Sequence, residues 1–383
     1  MTGRQLALAV TSFLLALLAP EARGTRILVP ESMSLSAAVN AAAPGDTLSL
    51  ATGTYERIPD PFVKSIVIEA RQPEDPPVLR RLEAGLVTLR HLDFVPEGPG
   101  EVNPILFRAL DSVRLEGCRF SGFASTGIDA RDAPGDHAWL VSVEACRFNL
   151  LNRGIDAAFV NPGSRIDVHD SAFESSFYGI RMATTARQCP GGAGSEPPSL
   201  TGMAALNLLD CRFTTLNGSA VEAHEGTWAV SMSNCRIEGT KLGVELIRAG
   251  ASLERTEIIG NGFDSIGIQA NSSRIEVASS ILQQHALAIG LTAASGCERP
   301  AGIIGGQIEH FCRLNGNVVA LATSHPVNAD ANWWGTLICS EAHERIQGMT
   351  IQTLVDDAGS FEVECMTVVT PTTWGRLKAR IAP

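Results

Sequence analysis

Apolar and polar residues alternate along this chain in short stretches, and the stretches recur. One eight-residue pattern reads VTLRHLDF from Val87, VRLEGCRF from Val113, VSVEACRF from Val141 and IDVHDSAF from Ile166. It continues as LNLLDCRF from Leu206, VSMSNCRI from Val230, ASLERTEI from Ala251 and IEVASSIL from Ile275. A second pattern follows after a short gap: TGIDA from Thr126, RGIDA from Arg153, YGIRM from Tyr178, SAVEA from Ser219, LGVEL from Leu242, IGIQA from Ile266 and LAIGL from Leu287. Most successive copies lie 21–28 residues apart. Inserts rich in Gly, Pro and Cys, around Cys189–Pro198 and Gly296–Pro300, lengthen two of the intervals.

Within a copy, Val113, Leu115, Cys118 and Phe120 share one face, while Arg114, Glu116 and Arg119 point away. That is strand periodicity interrupted by turns. A repeat of this length, made of short strands with no helical pattern, predicts a winding chain in which each strand pairs with its copy one coil away. Leucine-rich repeats would need an Asn/Leu signature that is absent, and propeller blades need about 40 residues. The expected fold is all-β: a single right-handed parallel β-helix of about eight to ten coils. Its open ends need covers. Leu35, Ala38, Val39 and Ala42 follow helical spacing until Pro44-Gly45, which predicts a capping helix at the N-terminal end. ANWWG, from Ala331 to Gly335, offers two large rings to close the other end.

SLSAAVNAAAPGDTLSLATGTYE, from Ser34 to Glu56, resembles the N-terminal cap of the pectin-lyase-like superfamily of parallel β-helices. The repeats are similar to those of its secreted carbohydrate-binding and sugar-hydrolase branch, and NWWG at Asn332–Gly335 is similar to a closing motif of bacterial members. The resemblance covers about residues 26–340 and implies a fold more than an activity, since lyases, hydrolases, esterases, epimerases and non-catalytic surface proteins share it. The catalytic signatures of its polygalacturonases (NTD, DD, GHG), methylesterases (LGRPW) and pectate lyases (WxDH, RxPxxR) do not occur as sets. No family's catalytic residues are therefore carried over.

The second pattern defines a column instead. With Ile128, Ile155, Ile180, Val221, Val244 and Ile268 inward, the following residues, Asp129, Asp156, Arg181, Glu222, Glu245 and Gln269, are expected to face solvent ~4.8 Å apart. Two carboxylates that close raise one pKa unless a cation intervenes, either Arg181 or a Ca²⁺ held by Asp129 and Asp156. In superfamily enzymes this strand face forms the substrate groove. By that resemblance Asp129, Asp156 and Arg181 are the catalytic candidates, with Arg131 and Arg153 as further positive charge. Tyr178, Glu222, Glu245, His137, Trp139, His224 and Trp228 are the candidate substrate contacts, the rings by stacking on sugars. A decorated, non-catalytic surface explains the same column. The two readings are a secreted β-helix that binds or presents to extracellular polysaccharide, and a lyase, hydrolase or epimerase acting on an acidic glycan.

A basic residue, Arg4, an apolar run from Leu6 to Ala19 and small residues up to Gly24 predict a secretory signal over residues 1–24. The run is shorter than the ~20 residues of a membrane span. The β-helix domain is then 25–340, followed by a C-terminal cap and tail over 341–383; the exported protein is expected to be a monomer without a membrane span. A net charge of −11 argues against nucleic acid as partner. Of the nine Cys, Cys118, Cys146, Cys211 and Cys235 occupy one inward repeat position and are expected as free thiols filling the core. A serine at Cys146 should then cost about 1–3 kcal/mol. Among Cys189, Cys297, Cys312, Cys339 and Cys365, the preferred disulfides are Cys297–Cys312 and Cys339–Cys365.

Overall fold

A computed structural model describes residues 24–98, 104–131, 138–158, 163–182, 204–214, 216–224, 228–293, 300–305, 310–324, 327–329, 332–335, 339–347, 353–355 and 362–364. Residues 1–23 of the expected signal over 1–24, His137, Cys189, Cys297 and Cys365 lie outside them, as do the side chains of Trp228 and Cys339. The chain winds as a parallel β-helix with three in-register ladders. The first ladder is twelve strands deep, from Arg26–Val29 through Val113–Glu116 and Leu140–Glu144 to Ala301–Ile304. It carries the eight-residue pattern, with Val113, Val141, Ile166, Leu206, Val230, Ala251 and Ile275 stacked row on row.

The chain then turns through a left-handed residue, His91, Gly117, Ala145, Asp170, Asp210, Asn234, Arg255 or Ser279 according to the coil. Gly, Asn and Asp tolerate this conformation best, which accounts for four of the eight. The next residue is the cysteine position, and its column reads Cys118, Cys146, Ser171, Cys211, Cys235, Thr256, Ser280 and Cys312. The side chain there bends back to the carbonyl two residues earlier: Cys146 Sγ donates to Glu144 O at 3.3 Å and Ser171 Oγ to His169 O at 2.8 Å. Leu92 fills the same slot in the coil before Cys118, and from Cys118 onward the slot holds a small donor, thiol or hydroxyl according to the coil.

Cys312 corrects the expected Cys297–Cys312 disulfide. It is a free, fully buried thiol in this column, and burial pushes its pKa up to about 12. Cys118, Cys146, Cys211 and Cys235 are likewise free and buried.

The short second ladder stacks Phe94, Phe120, Phe148, Phe173 and Phe213, with ring centroids 4.5–4.9 Å apart and planes within 3–7°. These rings explain the glycine of the third ladder, which carries the GI pattern. A Cβ on Gly154 would lie 2.6 Å from the Phe173 ring and 2.5 Å from Gly179 O; one on Gly179 would meet Phe213 at 2.7 Å. Glycine lets the strand close onto the ring of the following coil.

Both caps form. The helix Leu35–Ala41 starts at Ser34, whose hydroxyl accepts from Ala37 N, and Leu35, Ala38 and Val39 are buried against the first coils. Lys64 Nζ donates to the carbonyls of Val39 and Ala42 at the helix C-terminus, where a cation is favoured. At the far end Trp334 is fully buried, and Asn332 accepts from Cys312 N while donating to Ile304 O and Ala329 O. Among the described residues no helix is long and apolar enough to cross a membrane.

Candidate functional site

Register places the column as expected and extends it toward the N-terminus: Glu83, Arg108, Asp129, Asp156, Arg181, Glu222, Glu245 and Gln269 are successive partners. Its exposure is not as expected. Asp129 retains 2 % of its surface, and Asp156 and Glu222 are also buried. The outward parity holds, but long arginine side chains lie over the carboxylates and pair with them.

Arg131 grips Asp129 with two parallel bonds, Nε to Oδ1 at 2.7 Å and Nη2 to Oδ2 at 2.8 Å. Arg108 reaches Oδ2 from the preceding coil at 3.2 Å. Burial alone would push the Asp129 carboxyl up, but its hydrogen bonds to Arg131 and the charges of Arg131 and Arg108 outweigh it and hold the pKa below the usual value. Asp156 pairs with Arg153 at 2.8 Å. Both Asp129 oxygens are thus taken, and a Ca²⁺ shared with Asp156 would have to displace guanidinium groups there. Arg181 is directed at the other side: it pairs with Glu222 at 3.1 Å. Further along the column, Glu83 collects Arg81 at 2.6 Å, Arg57 at 3.7 Å and Arg108 at 3.9 Å.

Beyond Arg181 the pattern changes. Glu222, His224 and Glu245 bring a ligand atom each to within 4.8 Å of one another. His224 Nε2 stands 3.5 Å from Glu222 Oε1, and Ser219 Oγ donates to Glu245 Oε2 at 3.3 Å. Burial, then the neighbouring Glu222 charge, raise the Glu245 pKa, against smaller opposing effects of His224 and Ser219.

Of the expected aromatic contacts, Tyr178 begins its strand half-buried and meets Phe177 edge-on, with centroids 4.8 Å apart. Trp139 is corrected: it is a core residue, its backbone N–H bonded to the buried Ser164 hydroxyl. Sequence reasoning missed a different apolar feature. Phe123, Leu150 and Phe177 are 89 %, 51 % and 45 % exposed. They sit in the turns that lead into the in-register strands Thr126–Arg131, Arg153–Ala158 and Tyr178–Met182. Their positions just ahead of TGIDA, RGIDA and YGIRM were the available signal.

No family model matches the chain, and no curated protein is similar to it. Among solved structures it is similar to AlyGC, a PL6 family alginate lyase, at 13 % identity and TM-score 0.41 over 82 % of this chain and 46 % of that one. A mannuronic-acid-specific polysaccharide family 6 lyase from human gut microbiota gives 13 % and 0.41 over 87 % of each chain. The GH136 lacto-N-biosidase of Eubacterium ramulus gives 10 % and 0.37 over 86 % of this chain and 61 % of that one. The chain thus spans less than two thirds of the first and third, and at these identities no activity or residue role passes to it.

Proposed function

We propose that the chain is an exported β-helix that binds an extracellular polysaccharide along the third ladder, without catalysis at Asp129 and Asp156. The observation that carries this is the exposure of three apolar side chains, Phe123, Leu150 and Phe177, in the turns that lead into strands whose ladder carries Arg108, Arg131 and Arg181. Apolar faces of sugar rings stack on such side chains, while Arg108 and Arg131, both part-exposed, offer donors to hydroxyl or carboxylate oxygens. Asp129 is poorly suited to general-acid work, because its depressed pKa keeps it ionised near neutral pH.

Affinity electrophoresis on pectate, alginate and neutral glycans, with and without Ca²⁺, tests the reading. Retention by at least one glycan without product formation is expected, lost in Phe123→Ala combined with Phe177→Ala. Retention unchanged in that double variant would remove these two rings from the binding face. A second reading, a polysaccharide lyase, hydrolase or epimerase, draws on the raised pKa of Glu245 beside Glu222 and His224, an acid–base arrangement. Product formation that disappears in Glu245→Gln would establish it in place of the first. Turnover abolished by Asp156→Asn would return catalysis to the Asp pair.

A further inference from the structure

We infer that Glu222, His224 and Glu245 form a binding site for one divalent transition-metal ion of the Zn²⁺ type, independent of the glycan reading. Glu222 and His224 are two residues apart on the strand Ser219–His224 and so share a side of it. Glu245 is the register partner of Glu222 on the next strand, Leu242–Ile247. The parallel ladder, rather than a flexible loop, therefore fixes all three donors.

The distances suit a small ion. A tetrahedral centre with bonds of ~2.0–2.1 Å has ligand–ligand edges of about 3.3–3.4 Å. The His224 Nε2 to Glu222 Oε1 separation of 3.5 Å is already close to that edge, and all three donors lie within 4.8 Å. His224 Nε2 is the independent pointer to a ligand. The imidazole is 21 % exposed, but Nε2 itself is screened from solvent, faces Glu222 Oε1 at 3.5 Å and makes no hydrogen bond, which a metal bond would supply.

The carboxylates are held as metal-binding carboxylates usually are, by outer hydrogen bonds: Arg181 Nε to Glu222 Oε1 at 3.1 Å and Ser219 Oγ to Glu245 Oε2 at 3.3 Å. An imidazole with two carboxylates matches the preference of Zn²⁺ and its first-row neighbours. Ca²⁺ instead takes six to eight oxygens. Three protein donors leave a fourth position for a water or a substrate oxygen.

Co²⁺ is the probe, added to the full chain after chelator treatment. One equivalent should bind and show the visible d–d bands of a tetrahedral N/O site. Zn²⁺ should displace it, and a hundredfold excess of Ca²⁺ should not. His224→Gln and Glu245→Gln should each weaken binding by more than about tenfold, while Asp156→Asn, on the same ladder, should bind like the parent. The proposal is overturned by no uptake in the parent, by bands that persist in both His224→Gln and Glu245→Gln, or by a sulfur-to-cobalt charge-transfer band that places the metal on cysteine.

Discussion

The two halves of the third ladder carry similar carboxylates and treat them in opposite ways. On the Asp129 strand the residue two positions on is Arg131, which closes a bidentate pair and lowers the aspartate pKa. On the Glu222 strand the residue two positions on is His224, too short to span the pair and charged only if protonated. Glu245, in the next coil, has Ile247 in the same slot, and its pKa rises. The slot residue, Arg, His or Ile, sets the pairing a carboxylate receives from its own strand two positions on, while Arg153 and Arg181 pair Asp156 and Glu222 from other positions.

The largest expected effect sets the background for testing this contrast. His285 is buried, with Nε2 near Ile258 O and Nδ1 near Ser265 Oγ, and burial lowers its pKa to about 4 against a smaller upward effect of Ile258 O. The folded state therefore favours the neutral ring. Stability is full above the unfolded value of 6.5 and falls as pH drops toward 4, by roughly 3 kcal/mol in urea titrations. Asp129, whose pKa is depressed, adds its loss only below about 4, so the two limbs separate along the pH axis.

Asp129→Ala at pH 7 should cost about 2 kcal/mol in urea denaturation. Losing one partner of a buried pair is expensive, but Arg131 is 53 % exposed and can return to water. A change below about 0.5 kcal/mol would mean that the pair carries nothing. In the Glu222 half the sign should reverse. Glu245→Gln should gain about 0.5 kcal/mol at pH 7, because like charges on neighbouring strands are relieved, and the gain should disappear in acid once Glu245 is protonated. Moving the slot residue sharpens the test: His224→Arg should stabilise the fold by about 0.5–1 kcal/mol and abolish Co²⁺ uptake.

The smallest effect is expected in the cysteine column. Ser171 occupies, one coil on, the slot that Cys146 fills, and its hydroxyl is satisfied by His169 O. Cys146→Ser should therefore cost no more than about 0.5 kcal/mol in thermal melts, below the 1–3 kcal/mol that an unsatisfied hydroxyl would cost. A loss within that larger range would show that sulfur packing dominates.

The winding and the register of the GI strands were legible because they repeat, and the N-terminal cap because helical spacing interrupts the strand pattern there. Cys312 was legible too, since FCRL at Phe311–Leu314 echoes GCRF and ACRF, but the insert around Gly296–Pro300 disturbed the interval. Solvent exposure of the column was not legible. Alternation gives the side on which Asp129 points, yet not that Arg131 folds back over it or that Arg108 reaches in from a strand, ILFRA, that lacks the Gly-Ile signature. Trp139 failed for a related reason: its place in a turn did not reveal that it packs into the core.

Three successive third-ladder glycines receive the phenylalanine of the coil that follows, Gly127 facing Phe148, Gly154 facing Phe173 and Gly179 facing Phe213. Each of these three coils is therefore completed by its successor. In this part of the β-helix the ring of one coil is set in height and in angle by the glycine of the coil before it, so the stacked rings and the GI strands cannot shift independently. A slip of one ladder would have to carry the other with it, which makes register a property of the pair of ladders.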